Sequence, residues 1–217
     1  WWWLAPLAVL ASALLLSRVL MAQLYDVLIV KMTAIWYKCV LDRMTSDQSL
    51  LDVGIGTATA LARNAAMLRH KKLRVVGVDY EASYVRRAHA ILRDAGVADS
   101  VAVHCRSVYD DLRDLRINGR LFDAGYFSGS ISLMPDPAAA LRAVSGLVAP
   151  GGPIYITQTF QDVRSPLMEL VKPLLRFLTT VDFGVVTYHS DVLELIREAG
   201  LVLVEDAPIP GSINNGM

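Results

Sequence analysis

The chain has 217 residues, 54% of them apolar, and its 21 basic and 21 acidic side chains cancel to a formal charge of zero. That is chain enough for one α/β domain of ordinary size and an additional segment, and the balance excludes a sequence-wide field that would gather nucleic acid. The only cysteines, Cys39 and Cys105, are too few for a disulfide framework and lack metal-ligand spacing, which leaves no metal site to expect.

From Trp1 to Ser17 there is no charged residue, and a helix over residues 1–22 would carry only Arg18, near its end. About 20 helical residues match a hydrocarbon core of roughly 30 Å. The opening Trp1-Trp2-Trp3 suits the headgroup level, where indoles settle, and Arg18 can snorkel at the other boundary. The expectation is an anchor helix over residues 1–24, transmembrane or deeply inserted. It competes with an apolar helix packed on a membrane protein partner and with a cleaved or core segment, although neither a basic n-region nor a small-residue cleavage site marks a signal peptide. Lys31, Lys38 and Arg43 follow, which by the positive-inside tendency puts the remaining domain on the cytosolic side. Over residues 23–44, Leu24, Val27, Leu28, Trp36, Val40 and Leu41 predict one or two amphipathic helices.

Leu50-Leu51-Asp52-Val53-Gly54-Ile55-Gly56-Thr57-Ala58-Thr59-Ala60-Leu61 organises the rest. An apolar run stops at two glycines set one residue apart and gives way to an Ala/Thr/Leu helical stretch, which spells strand, tight turn, helix. Glycine lets the backbone take a strained turn and a ligand approach the main chain. The helix beginning near Thr57 then aims its free N–H groups and positive dipole end at that ligand. A dinucleotide fingerprint would need a small residue at Thr59, and Asp52 would suit a pyrophosphate badly. A second strand over residues 73–79 ends in Asp79, about the spacing that sets a carboxylate on a ribose, roughly 20 residues on.

Asp52-x-Gly54-x-Gly56-x-Ala58 resembles the first motif of class I S-adenosylmethionine-dependent methyltransferases, with Ala58 where the third glycine usually stands. The resemblance continues in chain order. Residues 82–95 read as a helix with Val85, Ala88, Ile91 and Leu92 on one face, ended by Gly96. A third strand over residues 100–105 leads to Ser107 and Val108, in the place where the family meets the adenine; Ser107 stands there for the usual acid. The fourth strand, residues 121–127, runs into Ser128-Gly129. Asp136-Pro137 then starts a helix to Leu147, and Pro150-Gly151-Gly152 opens a fifth strand over residues 154–159. Residues 165–180 read as a helix interrupted by Pro173, and residues 183–188 as a short extended insert. Ser190-Asp191 predicts a capped helix through Ala199, and residues 201–207 a sixth strand. A seventh, antiparallel strand would have to lie in residues 212–217. Tyr25-Asp26 and Trp36-Tyr37 resemble the lid helix of relatives that act on quinones or phospholipids; packing of these aromatics on the sheet is the alternative.

Strands alternating with helices predict a Rossmann-like, doubly wound α/β domain: a mostly parallel sheet with helices on both faces. Its boundaries are 25–217, with lid helices in 25–48 and the α/β core in 49–217. The resemblance implies S-adenosyl-L-methionine as cofactor. Gly54, Gly56 and Thr57 would line its methionine part, Asp52 hold its ammonium and Asp79 its ribose hydroxyls. Tyr80, Ser107 and Val108 would flank the nucleoside, and Ser128 and Gly129 the transferred methyl. In-line transfer needs no nucleophilic side chain. His189, Tyr25 and Asp136 are the candidates for a base if the acceptor carries an acidic proton. A lipid-like small molecule at a membrane surface is the leading acceptor, and nucleic acid is not expected. A protein or RNA methyltransferase, and a catalytically silent methyltransferase-fold subunit of a membrane protein assembly, are the alternatives.

Overall fold

The computed structural model describes residues 28–161 and 187–212. A helix whose described part runs over 28–43 (α1) comes first. It is followed by β1 (Ser49–Val53), α2 (Thr59–Ala62), α3 (Ala65–His70), β2 (Arg74–Asp79), α4 (Ala82–Asp94), β3 (Val101–Cys105), β4 (Ala124–Ser128), α5 (Pro137–Ser145), β5 (Ile154–Thr157) and α6 (His189–Glu198). The strands form one parallel sheet in the order β3-β2-β1-β4-β5. The chain therefore reverses its winding beside β1, where open α/β sheets leave a crevice at the carboxyl ends of their strands.

The two faces of the sheet follow from side-chain alternation. Leu50, Val75 and Tyr126 point to one side and pack with Tyr37, Val40 and Leu41 of α1 and with Val85 and Leu92 of α4. Leu51, Val53, Val76 and Phe127 point to the other and meet Leu141 and Val144 of α5. β1 is buried at every residue, as a central parallel strand covered on both faces must be. The edge strand β3 alternates buried with exposed.

α1 crosses its face against the direction of the strands. Midway along it, Trp36 and Tyr37 reach the carboxyl ends of β4 and β1. At its end the ammonium of Lys71, just before β2, donates to the carbonyls of Leu41, Asp42 and Met44 at 2.8–2.9 Å. A cation thus closes the last, otherwise unpaired turn of the helix.

Several expectations change. The helix after the glycine loop starts at Thr59, not near Thr57, and is broken into α2 and α3 at Asn64, whose φ of −101° is not helical and whose side-chain amide donates to the carbonyls of Ala34 and Ala60. α6 begins at His189, one residue ahead of Ser190-Asp191, with Tyr188 in front of it and no side-chain cap. Residues 201–207 form no strand. Val202 and Val204 are 84% and 94% exposed, and among the described residues the segment pairs with no strand; a cavity of about 1220 Å³ is lined by both it and β5. The expected anchor, the helix over 165–180, most of the extended insert and the chain past Ser212 lie outside the described residues. Among the described residues no helix is long and apolar enough to cross a membrane.

Candidate functional site

The loop after β1 is built on backbone that a side chain would spoil. Gly54 (φ 73°) and Gly56 (φ 60°) are left-handed, as is Ala58 (φ 55°). Ala58 thus takes the conformation that makes glycine the ordinary occupant of its position. The Gly54 N–H donates to Val78 O at 2.8 Å, and a Cβ there would come within 2.6 Å of Ser130 Cβ. Ser130 in turn donates to Val53 O, which ties the start of the loop to the segment after β4. A Cβ on Gly56 would meet nothing within 4 Å. The loop is clamped at its first glycine and open at its second.

Asp79 ends β2 beside this loop, and Asp52 is the last residue but one of β1. The Asp79 carboxylate accepts the Gly56 N–H through Oδ2 and the Glu81 N–H through Oδ1, each at 2.9 Å. A carboxylate has about four acceptor sites, so two remain for a ligand's hydroxyls. Asp52 is fully buried, opposite Tyr126 in the sheet register. The Tyr37 hydroxyl donates to its Oδ2 at 2.6 Å, while its Oδ1 is buried without a partner. Burial pushes the Asp52 carboxyl up to about 7; the Tyr37 bond pulls the other way, and the charge of Asp79 raises it further. The register of the neighbouring strands, Asp52 beside Gly77 and Val53 beside Val78, puts the two acids at one rim. Burial, then the neighbouring Asp52 charge, holds the Tyr37 hydroxyl well above its usual value, so it remains a donor. Its ring also meets Tyr126 edge-on with centroids 5.0 Å apart, and the Tyr126 hydroxyl shares a 2.8 Å hydrogen bond with Thr157.

The other predicted residues fall around this rim. Thr57 pairs its hydroxyl with that of Thr59 at 2.7 Å. Tyr80 is 81% exposed, beside Asp79, and Val108 is buried. The Ser107 hydroxyl accepts the Tyr109 N–H. Ser128 Oγ is buried without a hydrogen-bond partner at the end of β4. The Gly129 N–H donates to Thr157 O at 2.8 Å, and Trp36 lies 3.4 Å from where its Cβ would be. Of the base candidates, Asp136 is committed to capping α5, accepting the Ala139 N–H at 2.8 Å. His189 Nε2 pairs with Asp206 Oδ2 at 2.6 Å. Tyr25 lies outside the described residues. Ser130, Tyr126 and Thr157 were not singled out in the sequence, and Tyr37, read there with Trp36 as part of a lid helix, was not read as the partner of Asp52. The one local sign of them was a carboxylate set inside an apolar strand, which demands a donor.

A buried acid with one oxygen unsatisfied, a second acid with acceptor capacity to spare, and an uncluttered glycine between them fit a nucleoside that carries an ammonium group. The Methyltransferase domain family matches residues 50–152 of the chain, the stretch from β1 to the turn before β5. Over these residues the chain carries a methyltransferase domain similar to the class I S-adenosylmethionine-dependent enzymes. Its cofactor is S-adenosylmethionine, in keeping with the similar fold of an S-adenosylmethionine-dependent methyltransferase from Geobacter sulfurreducens in complex with S-adenosyl-L-homocysteine. That structure matches with a TM-score of 0.55 at 18% identity, over 79% of this chain and 64% of that one. Among curated relatives, the methyltransferase is 25% identical to a phosphatidylethanolamine N-methyltransferase from Cereibacter sphaeroides, over 76% of this chain and 75% of that protein. It is 29% identical to a ubiquinone biosynthesis O-methyltransferase from Serratia proteamaculans, over 58% of this chain and 48% of that protein.

Proposed function

We propose that the chain transfers a methyl group from S-adenosylmethionine to a small, lipid-like acceptor at a membrane surface, with its α/β domain on the cytosolic side. The observation that carries the acceptor class is the cavity of about 1220 Å³ beside β5, lined by Trp36, Val40, Ile154, Ile156, Thr157 and Leu203 among others. Its volume exceeds the roughly 300–1,000 Å³ usual for small-molecule pockets. It also adjoins the site directly: Trp36 lies over Gly129, and Thr157 accepts the Gly129 N–H and bonds Tyr126. The names of the two curated relatives, one a phospholipid and one a quinone-pathway methyltransferase, support the same class.

The cofactor supplies an electrophilic methyl on a sulfonium; the chain supplies position and charge. In this reading Asp52 Oδ1 would hold the cofactor ammonium, Asp79 would take the ribose hydroxyls, and the open side of Gly56 would admit the ligand to the backbone. Trp36 and Tyr37 cover the rim and exclude water. Of the base candidates within the described residues, only His189 lines the cavity; held by Asp206, it is the group placed to take a proton from a hydroxyl acceptor.

Incubating the full chain with methyl-labelled cofactor and a membrane lipid extract is expected to carry label into the organic phase. Label confined to protein or RNA would overturn the acceptor class. Tyr37→Phe tests the arrangement around Asp52. Without the hydroxyl that pulls it down, the carboxyl titrates higher still. Affinity for S-adenosylhomocysteine should then fall about tenfold at pH 7 and recover by about pH 9, since one pH unit is a factor of ten in the ionised fraction. Calorimetric titration across that range reads it, and a loss independent of pH would speak against the role.

A further inference from the structure

The direction of α1 combines with the distribution of exposed apolar side chains. α1 has Tyr37 at the carboxyl end of β1 and its last carbonyls beside Lys71 at the amino edge. Leu28 is nine residues before Tyr37 and so stands about 13 Å further out on the carboxyl side. The chain that precedes it, uncharged from Trp1 to Ser17, joins the domain on that side. The same side carries Tyr80, directly after β2, Tyr84 in the first turn of α4, Tyr109 after β3 and Leu133 after β4. These are 81%, 45%, 42% and 53% exposed, and Leu28 is 45% exposed. Side chains with an apolar body and a polar tip are suited to the headgroup layer, where one end is dry and the other wet.

We propose that this carboxyl rim is the membrane-facing surface of the protein. Tyr80, Tyr84, Tyr109 and Leu133 lie at headgroup level around the mouth of the site, and α1 rises from the same face toward the apolar leading segment. The inference rests on the membrane reading above and adds an orientation to it. Among the charges on the rim, Arg106 pairs with Asp110 and Asp114, and Arg113 with Asp111, two arginines against three aspartates. With its arginines already held by acids, this part of the rim gains nothing from anionic lipid, and a bilayer contact made through its tyrosines and Leu133 should withstand salt. The other exposed apolar patch among the described residues is Val202, Leu203 and Val204. It lies next to Glu205, which pairs with Arg43 at the far end of α1. The two patches thus predict opposite poses.

Flotation and depth-dependent quenching decide between them. In the full chain with Cys39→Ser and Cys105→Ser, a fluorophore is placed by Leu133→Cys or by Val204→Cys, and the protein is added to phosphatidylcholine vesicles containing brominated lipid. The chain is expected to float with the vesicles at low and high salt, and the label at 133 to be quenched at least about threefold more than the label at 204, as a group sunk to the acyl boundary would be. Failure to float overturns the membrane reading and the orientation together. Flotation with equal quenching, or stronger quenching at 204, overturns the orientation and leaves the membrane reading intact. Tyr84→Ser with Leu133→Asp should lower transfer to vesicle-borne acceptor about tenfold, by weakening interfacial contact, without changing S-adenosylhomocysteine affinity. Loss of cofactor affinity in that variant would show that the rim belongs to the cofactor site instead.

Discussion

Replacing Asp52 with asparagine is expected to stabilise the folded chain at pH 8 by up to about 4 kcal/mol and to weaken S-adenosylhomocysteine binding at least about hundredfold. Both effects have one cause. Asp52 is fully buried, and its carboxyl moves from 3.8 to about 7 on folding, chiefly through loss of water. Because the folded value lies above the unfolded one, the group's contribution to stability is complete below about pH 4 and is lost as pH rises through about 7. Urea unfolding of the unaltered chain should therefore weaken across that window, whereas the Asp52→Asn variant, still able to accept the Tyr37 hydrogen bond, should vary much less. Binding runs the other way: the ionised carboxylate is the form that answers an ammonium, so affinity in the unaltered chain should rise over the interval in which stability falls. Parallel stability curves for the two proteins would remove the charge from the account. Unchanged affinity would remove Asp52 from the site.

The second large effect separates two glycines that look alike in the sequence. Gly54→Ala puts a methyl group within 2.6 Å of Ser130 Cβ at a left-handed φ of 73°. Backbone strain of about 1 kcal/mol and overpacking of about 2 kcal/mol together predict a loss near 3 kcal/mol. For a chain of this length that is a fall in Tm of roughly 6–12 °C. Gly56→Ala carries the strain alone, since nothing lies within 4 Å of the new methyl. It should cost about 1 kcal/mol of stability yet reduce cofactor affinity by about tenfold or more, because the methyl occupies the face the ligand would approach. Melting curves and binding titrations on the pair test the split. A Gly56→Ala protein that binds normally would mean the ligand does not come to that face.

Much of this arrangement is local and could be read from the chain. The change from strand to helix periodicity across Gly54 and Gly56, and an acid at or next to the end of each of β1 and β2, are features of adjacent residues. The alternation of elements then leaves few topologies other than a parallel sheet. Contacts made by folding could not be read in the same way. Nothing near Asp52 names Tyr37 as its donor; the pair forms because α1 crosses the sheet at the end of β1. The segment Leu201-Val202-Leu203-Val204 has strand propensity, yet a strand is a pairing and among the described residues none pairs with it. Ala58 in a left-handed conformation moved the helix start from Thr57 to Thr59, a detail fixed by the loop's geometry rather than by helix propensity.

The bare side of β5 bears on which molecules the cavity will hold. Pro153 and Thr157 turn their carbonyls toward β4, so Ile154 and Ile156 turn their peptide groups outward, where the described residues supply no partner. A saturated alkyl chain laid along that wall would strip water from those amides and give nothing back, at a cost of about 1–3 kcal/mol for each group left unanswered. Occupants with ester, amide or ketone oxygens along one flank would escape that penalty, so hydrogen-bonding capacity, beyond greasiness, should grade the compounds this protein accepts.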